Sequence, residues 1–327
     1  MTQPDASHDP FFREIISDPV AAAGVLENVL PADVRALVDL DSIEIEKDSF
    51  VEPDLRAYYS DALFRVRMAG EPGNVYLLIE HKSHPDRFVH VQALSYIKPI
   101  WGRRRGPDLP AVIPVVVYHG QRPWPYDPKF SKVFPPKSPQ LRRFFPDFEV
   151  VLADLSQYPD EEIRGAVLTR AFLLMLKHVR SPDFPERLPG IFRLFGELSR
   201  SRTGLGHLEA MLRYMARAAE NITPETVETL VEEYVPGPEG GKLMATLAEQ
   251  WEERGIRKGI QQGVQQGVRN GLREAIREGL GSKFGEAGLA LAPEIDSIKD
   301  PDRLRALLKI AWRVSSLEEF CRKLREG

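Results

Sequence analysis

The stretch Val75-Tyr-Leu-Leu-Ile-Glu-His-Lys82 decides the reading of this chain. Val75 to Ile79 is a continuous β-rich run of β-branched, aromatic and aliphatic residues, which reads as a strand. Two opposite charges then follow at alternate positions. On a strand, residues i and i+2 share a face, so Glu80 and Lys82 point one way and His81 the other. Upstream, Asp61 to Met68 alternates Ala62, Phe64, Val66 and Met68 with polar or mixed partners, and the turn-rich Ala69-Gly-Glu-Pro-Gly-Asn74 joins the two runs into a hairpin. If the loop closes with Met68 facing Val75, Asp61 lies opposite Lys82. A register shifted by two puts Asp61 opposite Glu80. Either register gathers Asp61, Glu80 and Lys82 on one face, within a cross-strand reach of about 5–8 Å, whereas a shift of one separates them.

Two carboxylates on rigid strands form a hard-oxygen site suited to Mg²⁺. An ion held there polarises a phosphoryl oxygen and lowers the pKa of a bound water. A neighbouring lysine orients that water and stabilises charge developing on the phosphate. An acid-x-lysine pair at a strand end is by itself more often a solvated strand end than a catalytic site, so the weight rests on Asp61 joining it.

Working outward, Phe11, Phe12, Ile15 and Ile16 have helical spacing, Ala21 to Leu30 continues it after Pro19, and Pro31 starts another short helix. Ser42 to Lys47 reads as a strand, Phe88 to Ile97 as a helix, Ala111 to His119 as an apolar central strand with Pro114 a warning about its start, and Phe148 to Leu155 as a last strand. The zone from Pro159 to Ala248 has helical spacing: Ile163, Val167, Ala171 and Leu174 form one apolar face, Ile191, Leu194 and Leu198 a second, and Leu205, Leu208 and Leu212 a third. Breaks fall at Ser181–Pro185 and Pro236–Gly241, and a final helix runs from Pro301 to Leu324. In between, glycine recurs every fourth residue from Gly255 to Gly271, with Ala275 and Gly279 continuing the row, each followed by an apolar residue. Glycine costs about 1 kcal/mol per site in a helix interior. This tail reads either as a helix whose glycine track admits a partner, giving a homo-oligomer, or as a flexible linker. The chain thus divides into a core at 1–157, a helical region at 158–250 and a glycine-repeat tail at 251–327.

With 327 residues and 43% hydrophobic content the chain is globular, and a single cysteine, Cys321, excludes an internal disulfide framework and a Cys-rich zinc domain. Cys321 itself reads as a small buried residue on a helix. There is no signal-peptide pattern, and the longest apolar run, Ala111 to Tyr118, is far short of the roughly 20 residues a membrane span needs. The expected location is the cytoplasm, with no membrane partner. The net charge of −4 hides a basic segment: Lys98 to Arg143 carries ten Lys/Arg, among them Lys98, Arg103, Arg104 and Arg105, against two acids, with Trp101, Trp124 and Tyr126 interleaved. Such a segment neutralises phosphates without reading sequence, so DNA is the expected partner.

Two stretches carry a family resemblance: Phe50-Val-Glu-Pro-Asp-Leu-Arg-Ala-Tyr-Tyr-Ser-Asp-Ala-Leu-Phe-Arg-Val66 and Val75-Tyr-Leu-Leu-Ile-Glu-His-Lys-Ser-His-Pro-Asp86. Together with His8-Asp9-Pro10-Phe11-Phe12, Pro114-Val-Val-Val-Tyr-His-Gly120 and the glycine-repeat tail, they resemble the Rpn family of recombination-promoting nucleases, also described as YhgA-like transposases, within the PD-(D/E)XK superfamily. The resemblance implies an α/β restriction-endonuclease-like fold with a mixed sheet flanked by helices, followed by an all-helical region. It also implies metal-dependent DNA endonuclease activity linked to recombination or DNA mobility. By position, Asp61 resembles the first acid, Glu80 the second and Lys82 the lysine, with Ser60 where the superfamily name has proline. Gln92 resembles a supporting polar residue on the following helix, and Glu14 or Glu27 a first-helix acid. On this reading Asp61, Glu80 and the backbone carbonyl of His81 hold Mg²⁺, or another divalent ion such as Mn²⁺ or Ca²⁺. The alternative is a catalytically inactive DNA-binding or accessory protein. His81, His84 and His90 lack the partners of a zinc set and are given surface or loop roles, and Tyr58 and Tyr59 packing or hinge roles.

Overall fold

A computed structural model describes residues 8–46, 62–70, 74–102, 108–134 and 139–325. Asp61, Tyr58, Tyr59, Arg103, Arg104 and Arg105 lie outside the described residues, as does most of the 50–66 stretch. The chain divides into two compact units, Met1–Gln250 and Trp251–Gly327.

The first unit opens with α1 (His8–Ile16), α2 (Pro19–Val29) and α3 (Ala32–Arg35). Asp18 caps α2 by accepting from the Val20 N–H at 2.8 Å, and Pro19 occupies the first turn, where its missing N–H is not needed. A five-stranded sheet follows in the order β1 (Val38–Ile45), β2 (Ala62–Met68), β3 (Asn74–Lys82), β4 (Ala111–Tyr118), β5 (Val151–Asp154). The first three strands pair antiparallel and the last two join in parallel. Helix α4 (Val89–Gly102) makes the crossover between β3 and β4, as a parallel pair requires. The helices α5 (Val167–His178), α6 (Phe184–Leu198), α7 (Arg202–Ala218) and α8 (Pro224–Tyr234) complete the unit. This is the expected restriction-endonuclease-like architecture: a mixed sheet with flanking helices, then a helical region.

Strand β3 is buried from Val75 to His81, which explains its unbroken apolar run. Its odd-numbered face meets α1, where Phe12 stacks on His81 with ring centroids 4.8 Å apart. Phe11 of the same helix stacks on Tyr214 of α7 at 4.0 Å, and Phe12 packs against Phe172 of α5, so α1 bonds the sheet to the helical region. Pro114 sits inside β4 without loss. Alternate residues of a parallel strand bond to opposite neighbours; the His119 N–H goes to the Lys82 carbonyl at 3.0 Å, so Pro114 faces the β5 side, before pairing with β5 starts at Val115.

Several boundaries differ from the sequence reading. β1 begins at Val38 and ends at Ile45, earlier than Ser42–Lys47, because its pairing with β2 runs from Val38↔Met68. β5 is shorter than Phe148–Leu155, since Leu155 already begins a 3-10 turn capped by Asp154. Pro31 is the cap of α3, not its first residue. The break at Ser181–Pro185 is narrower than expected, with Phe184 and Pro185 forming the first turn of α6, and that at Pro236–Gly241 closes at Gly237, with φ of +89°. Ile163 precedes α5 and shares no helical face with Val167.

In the second unit the glycine repeat is helical throughout. It belongs to α9 (Pro238–Leu289), whose only non-helical position is Gly285, at φ +62° and ψ −142°. The final helix divides into α11 (Pro301–Arg313) and α12 (Leu317–Arg325), preceded by α10 (Ala292–Ser297). Val314 is extended, and the Ser316 hydroxyl accepts from the Glu319 N–H at 3.2 Å to start the new helix. Ile276, Leu280, Ile295, Leu304, Leu307 and Phe320 form this unit's core. Cys321 is half-buried on α12, not buried as expected.

Candidate active site

The carboxyl end of β3 carries the site. The hairpin closes in the second of the two registers, with Val66↔Val75 and Ala62↔Ile79 paired. The residue before Ala62 is Asp61 and the residue after Ile79 is Glu80.

Glu80 is 6% exposed, Lys82 emerges at the strand end, and α4 covers both from one side. Lys82 Nζ lies 3.2 Å from Glu80 Oε1 and 3.3 Å from Asp86 Oδ2, and donates to Gln92 Oε1 at 2.5 Å. The Gln92 amide nitrogen donates to Glu80 Oε1 at 2.9 Å and to the Tyr96 hydroxyl at 2.5 Å. Both ends of the Gln92 side chain are therefore committed, and the amide orientation is fixed by its partners. Structure thus brings Glu80, Lys82 and Gln92 together. It adds two residues the sequence reading did not select. Asp86 follows β3 and accepts from the Phe88 N–H at the start of α4, and Tyr96 sits four residues after Gln92 on that helix. The i,i+4 spacing of Gln92 and Tyr96 was a usable signal.

The other carboxyl oxygen, Glu80 Oε2, is buried and has no hydrogen-bond partner among the described residues. A buried carboxylate oxygen in that state is costly unless a cation or donor meets it, so Glu80 fits a metal-ligand role. Because the Lys82 carbonyl points to β4, the His81 carbonyl points to the β2 side, where described pairing stops at Ala62. Burial raises the Glu80 pKa, opposed by the charge and hydrogen bond of Lys82. Among the described residues no group of three or more His, Cys, Asp or Glu gathers as a metal site.

A raised acid pKa has a definite stability sign. The folded chain binds the Glu80 proton more tightly than the unfolded chain, so stability falls as pH rises from the ordinary carboxylate range through the raised folded value. At neutral pH the ionised side chain costs stability. Glu80→Gln is therefore expected to unfold at higher temperature than wild type at pH 7, with the gap closing as pH drops below the ordinary carboxylate range. Thermal scans across pH check this, and a less stable variant at pH 7 contradicts it.

The remaining sequence candidates fall elsewhere. Glu14 pairs with Arg213 at 2.7 Å on α7, and Glu27 is exposed on α2; neither bonds to Glu80, Lys82 or Gln92. α1, which carries Glu14, lies on the His81 side, as the Phe12 contact shows. The histidines point three ways. His81 is buried between Phe12 and His119, contrary to a surface role; His90 is also buried, its Nε2 2.8 Å from the Pro128 carbonyl; His84 is on the loop after β3. Of the basic segment, Lys98, Arg122, Lys129, Lys132, Arg142 and Arg143 are exposed. Trp101, Tyr126 and Phe144 are exposed among them, with the Arg143 guanidinium 4.9 Å from the Phe144 ring. A groove of about 1110 Å³ opens at the ends of β3 and β4, lined by Ser83, His84, His119, Gly120, Arg122 and Arg180.

A mixed sheet with an acid–lysine pair at the end of its third strand, backed by a glutamine on the crossover helix, defines a class of α/β proteins with a polar site at a strand end. Within it, residues 6–205 match the family model described as "Putative transposase, YhgA-like", and the chain belongs to that family. It is 31% identical over 253 residues to recombination-promoting nuclease RpnC of Escherichia coli strain K12, covering 76% of this chain and 82% of the relative. It is 30% identical over 252 residues to the inactive recombination-promoting nuclease-like protein RpnE of the same strain, with the same two coverages, 76% and 82%. It is 34% identical over 181 residues to recombination-promoting nuclease RpnD of Escherichia coli O157:H7, covering 54% of this chain and 69% of the relative. No solved structure matches the chain.

Proposed function

We propose that this chain is a metal-dependent DNA endonuclease that hydrolyses phosphodiester bonds in DNA recombination or mobility, working in the cytoplasm. The observation that supports this most is the buried Glu80 carboxylate, held by Lys82 and Gln92 through one oxygen and left unpartnered among the described residues at the other. The names of the relatives point the same way. Asp61, Glu80 and the His81 carbonyl would hold Mg²⁺, with Mn²⁺ or Ca²⁺ as substitutes, since all three ligands are oxygens. When bound, such an ion polarises a phosphoryl oxygen and acidifies a water. Lys82 orients the attacking water and stabilises the charge that gathers on the phosphate. Gln92 holds Lys82 and Glu80 in position. In the reaction, water oxygen bonds to phosphorus, one ester P–O bond breaks, and the departing oxygen takes a proton. Lys98, Arg103, Arg104 and Arg105 would bind the DNA backbone, with the groove at the ends of β3 and β4 as the path of a strand. Among the described residues no helix is long and apolar enough to cross a membrane.

A second reading, a DNA-binding or interaction protein with an inactive site, draws on the relative named as inactive. Nicking of supercoiled plasmid by purified protein decides between them. The nuclease reading expects nicks that require Mg²⁺ or Mn²⁺ and vanish with EDTA. Protein that shifts DNA at low salt yet never cuts it, across several divalent ions, supports the second reading.

A further inference from the structure

Arg87 and Phe88 join β3 to α4, and both side chains are exposed, Phe88 by 56%. Their place beside Glu80 and Lys82 is set from two directions. Asp86 Oδ2 lies 3.3 Å from Lys82 Nζ, while Asp86 Oδ1 accepts from the Phe88 N–H at 2.8 Å. One carboxylate thus ties the Phe88 backbone to Lys82. From the helix, the Gln92 N–H donates to the Phe88 carbonyl at 3.1 Å. Phe88 therefore stands one turn before the side chain that holds Lys82 and Glu80, and positions four apart are neighbours on a helix. A single exposed apolar side chain is ordinary on a protein surface, but this one is not single. Val91, three residues on, is 48% exposed, and the Arg87 guanidinium lies 5.9 Å from the Phe88 ring centroid. The start of α4 offers a cation and an aromatic face together, on a backbone fixed to the site.

We propose that Arg87 and Phe88 sense the pairing state of the nucleotide lying at the Glu80–Lys82 site. Arg87 bonds its phosphate, Phe88 stacks on its base, and DNA with unpaired nucleotides is preferred to an intact duplex. A nucleotide carries the two groups this pair complements, an anion and a flat ring. Arginine suits phosphate by its planar fork, and an aromatic ring stacks on any base because every base has a π-face. In a duplex those faces are covered by their neighbours, and a ring reaches them only by prising a step apart. An unpaired nucleotide already exposes one, which is the origin of the preference. Charge selects nucleic acid over an apolar peptide as the occupant. No Asp or Glu falls from Arg87 to Pro107. Val91, Ser95 and Lys98 continue the exposed face of α4 at i+3, i+7 and i+10 from Phe88, so the ring adjoins a cation at each end of that face. Phe88 is a specificity-determining residue and takes no part in bond breaking. The proposal rests on reading Glu80 and Lys82 as a DNA site, and adds the kind of DNA that fits it.

Fluorescence anisotropy of the full chain in EDTA measures binding without cleavage. The probes are a labelled duplex and the same duplex carrying a short unpaired bubble. Wild type is expected to bind the bubble about tenfold more tightly. Phe88→Ala, at an exposed position, is expected to bring the two affinities together, and Phe88→Trp to keep them apart. Arg87→Ala is expected to weaken both and to lower the slope of log affinity against log salt by about one. Wild type that binds both DNAs equally, or a Phe88→Ala protein that keeps the tenfold gap, overturns the proposal. Absence of binding to either DNA at low salt overturns it as well. Failure of the nuclease reading looks different: the Phe88-dependent gap persists, which supports the proposal, while supercoiled plasmid is never nicked with Mg²⁺ or Mn²⁺.

Discussion

Lys82→Ala is expected to lower DNA nicking by about 10²- to 10³-fold without loss of fold. The Nζ of Lys82 contacts Glu80, Asp86 and Gln92 at 3.3 Å or less, with the side chain 17% exposed, so the charge is fixed in place before substrate arrives. A group held this way stabilises phosphate charge without reorganising during the reaction. Its removal has a second consequence. Burial raises the Glu80 pKa and Lys82 is the leading opposing influence. In the variant Glu80 keeps its proton to higher pH, so the acid limb of residual activity moves up. Single-turnover nicking of supercoiled plasmid across a pH series measures both effects. A Lys82→Ala protein that cuts at the wild-type rate would refute the assignment of this lysine. Asp61→Asn is expected to show a comparable loss, for want of a metal-binding carboxylate.

The second large effect concerns the fold. Gly24 of α2 faces Thr169 of α5, and a Cβ on Gly24 would stand 2.1 Å from Thr169 Oγ1, 3.2 Å from its Cβ and 3.3 Å from its Cγ2. Rotating the threonine exchanges one clash for another. Gly24→Ala is expected to destabilise the first unit by about 1–3 kcal/mol, the usual range for overpacking. Thr169 is fully buried, and its hydroxyl has no hydrogen-bond partner among the described residues. Thr169→Ala should therefore be well tolerated alone and should recover most of the loss when combined with Gly24→Ala, leaving a coupling that a double-mutant cycle in urea reads directly. Additive effects of the two substitutions would show that the helices do not meet here as described.

What could be read from the sequence, and what could not, follows from the range of the forces involved. The β2–β3 hairpin was legible because alternation and an apolar run are local signals. Its register was narrowed to two choices, since both put the charged residues on one face, and the pairing of Val66 with Val75 selects one of them. The Glu80–Lys82 pair was legible from i,i+2 spacing alone. Gln92 entered only through family likeness, because its reach from α4 to β3 depends on how the crossover packs. Asp86 was passed over because loop positions carry no periodicity. The split between α11 and α12 was hidden by apolar spacing that continues through Val314, and the small Ser315 and Ser316 gave too weak a stop. The burial of His81 was missed for a different reason: its neighbours Phe12 and His119 come from distant parts of the chain.

The two edges of the sheet carry a consequence for how copies of this chain meet. β1 has a register irregularity between Asp39 and Glu44 and is bordered by the ion pairs Arg67–Asp39 and Arg65–Glu44. β5, at the other edge, is only four residues long. A kinked, charged margin and a very short one are poor templates for adding a foreign strand. The sheet is thereby protected from edge-to-edge aggregation and domain exchange.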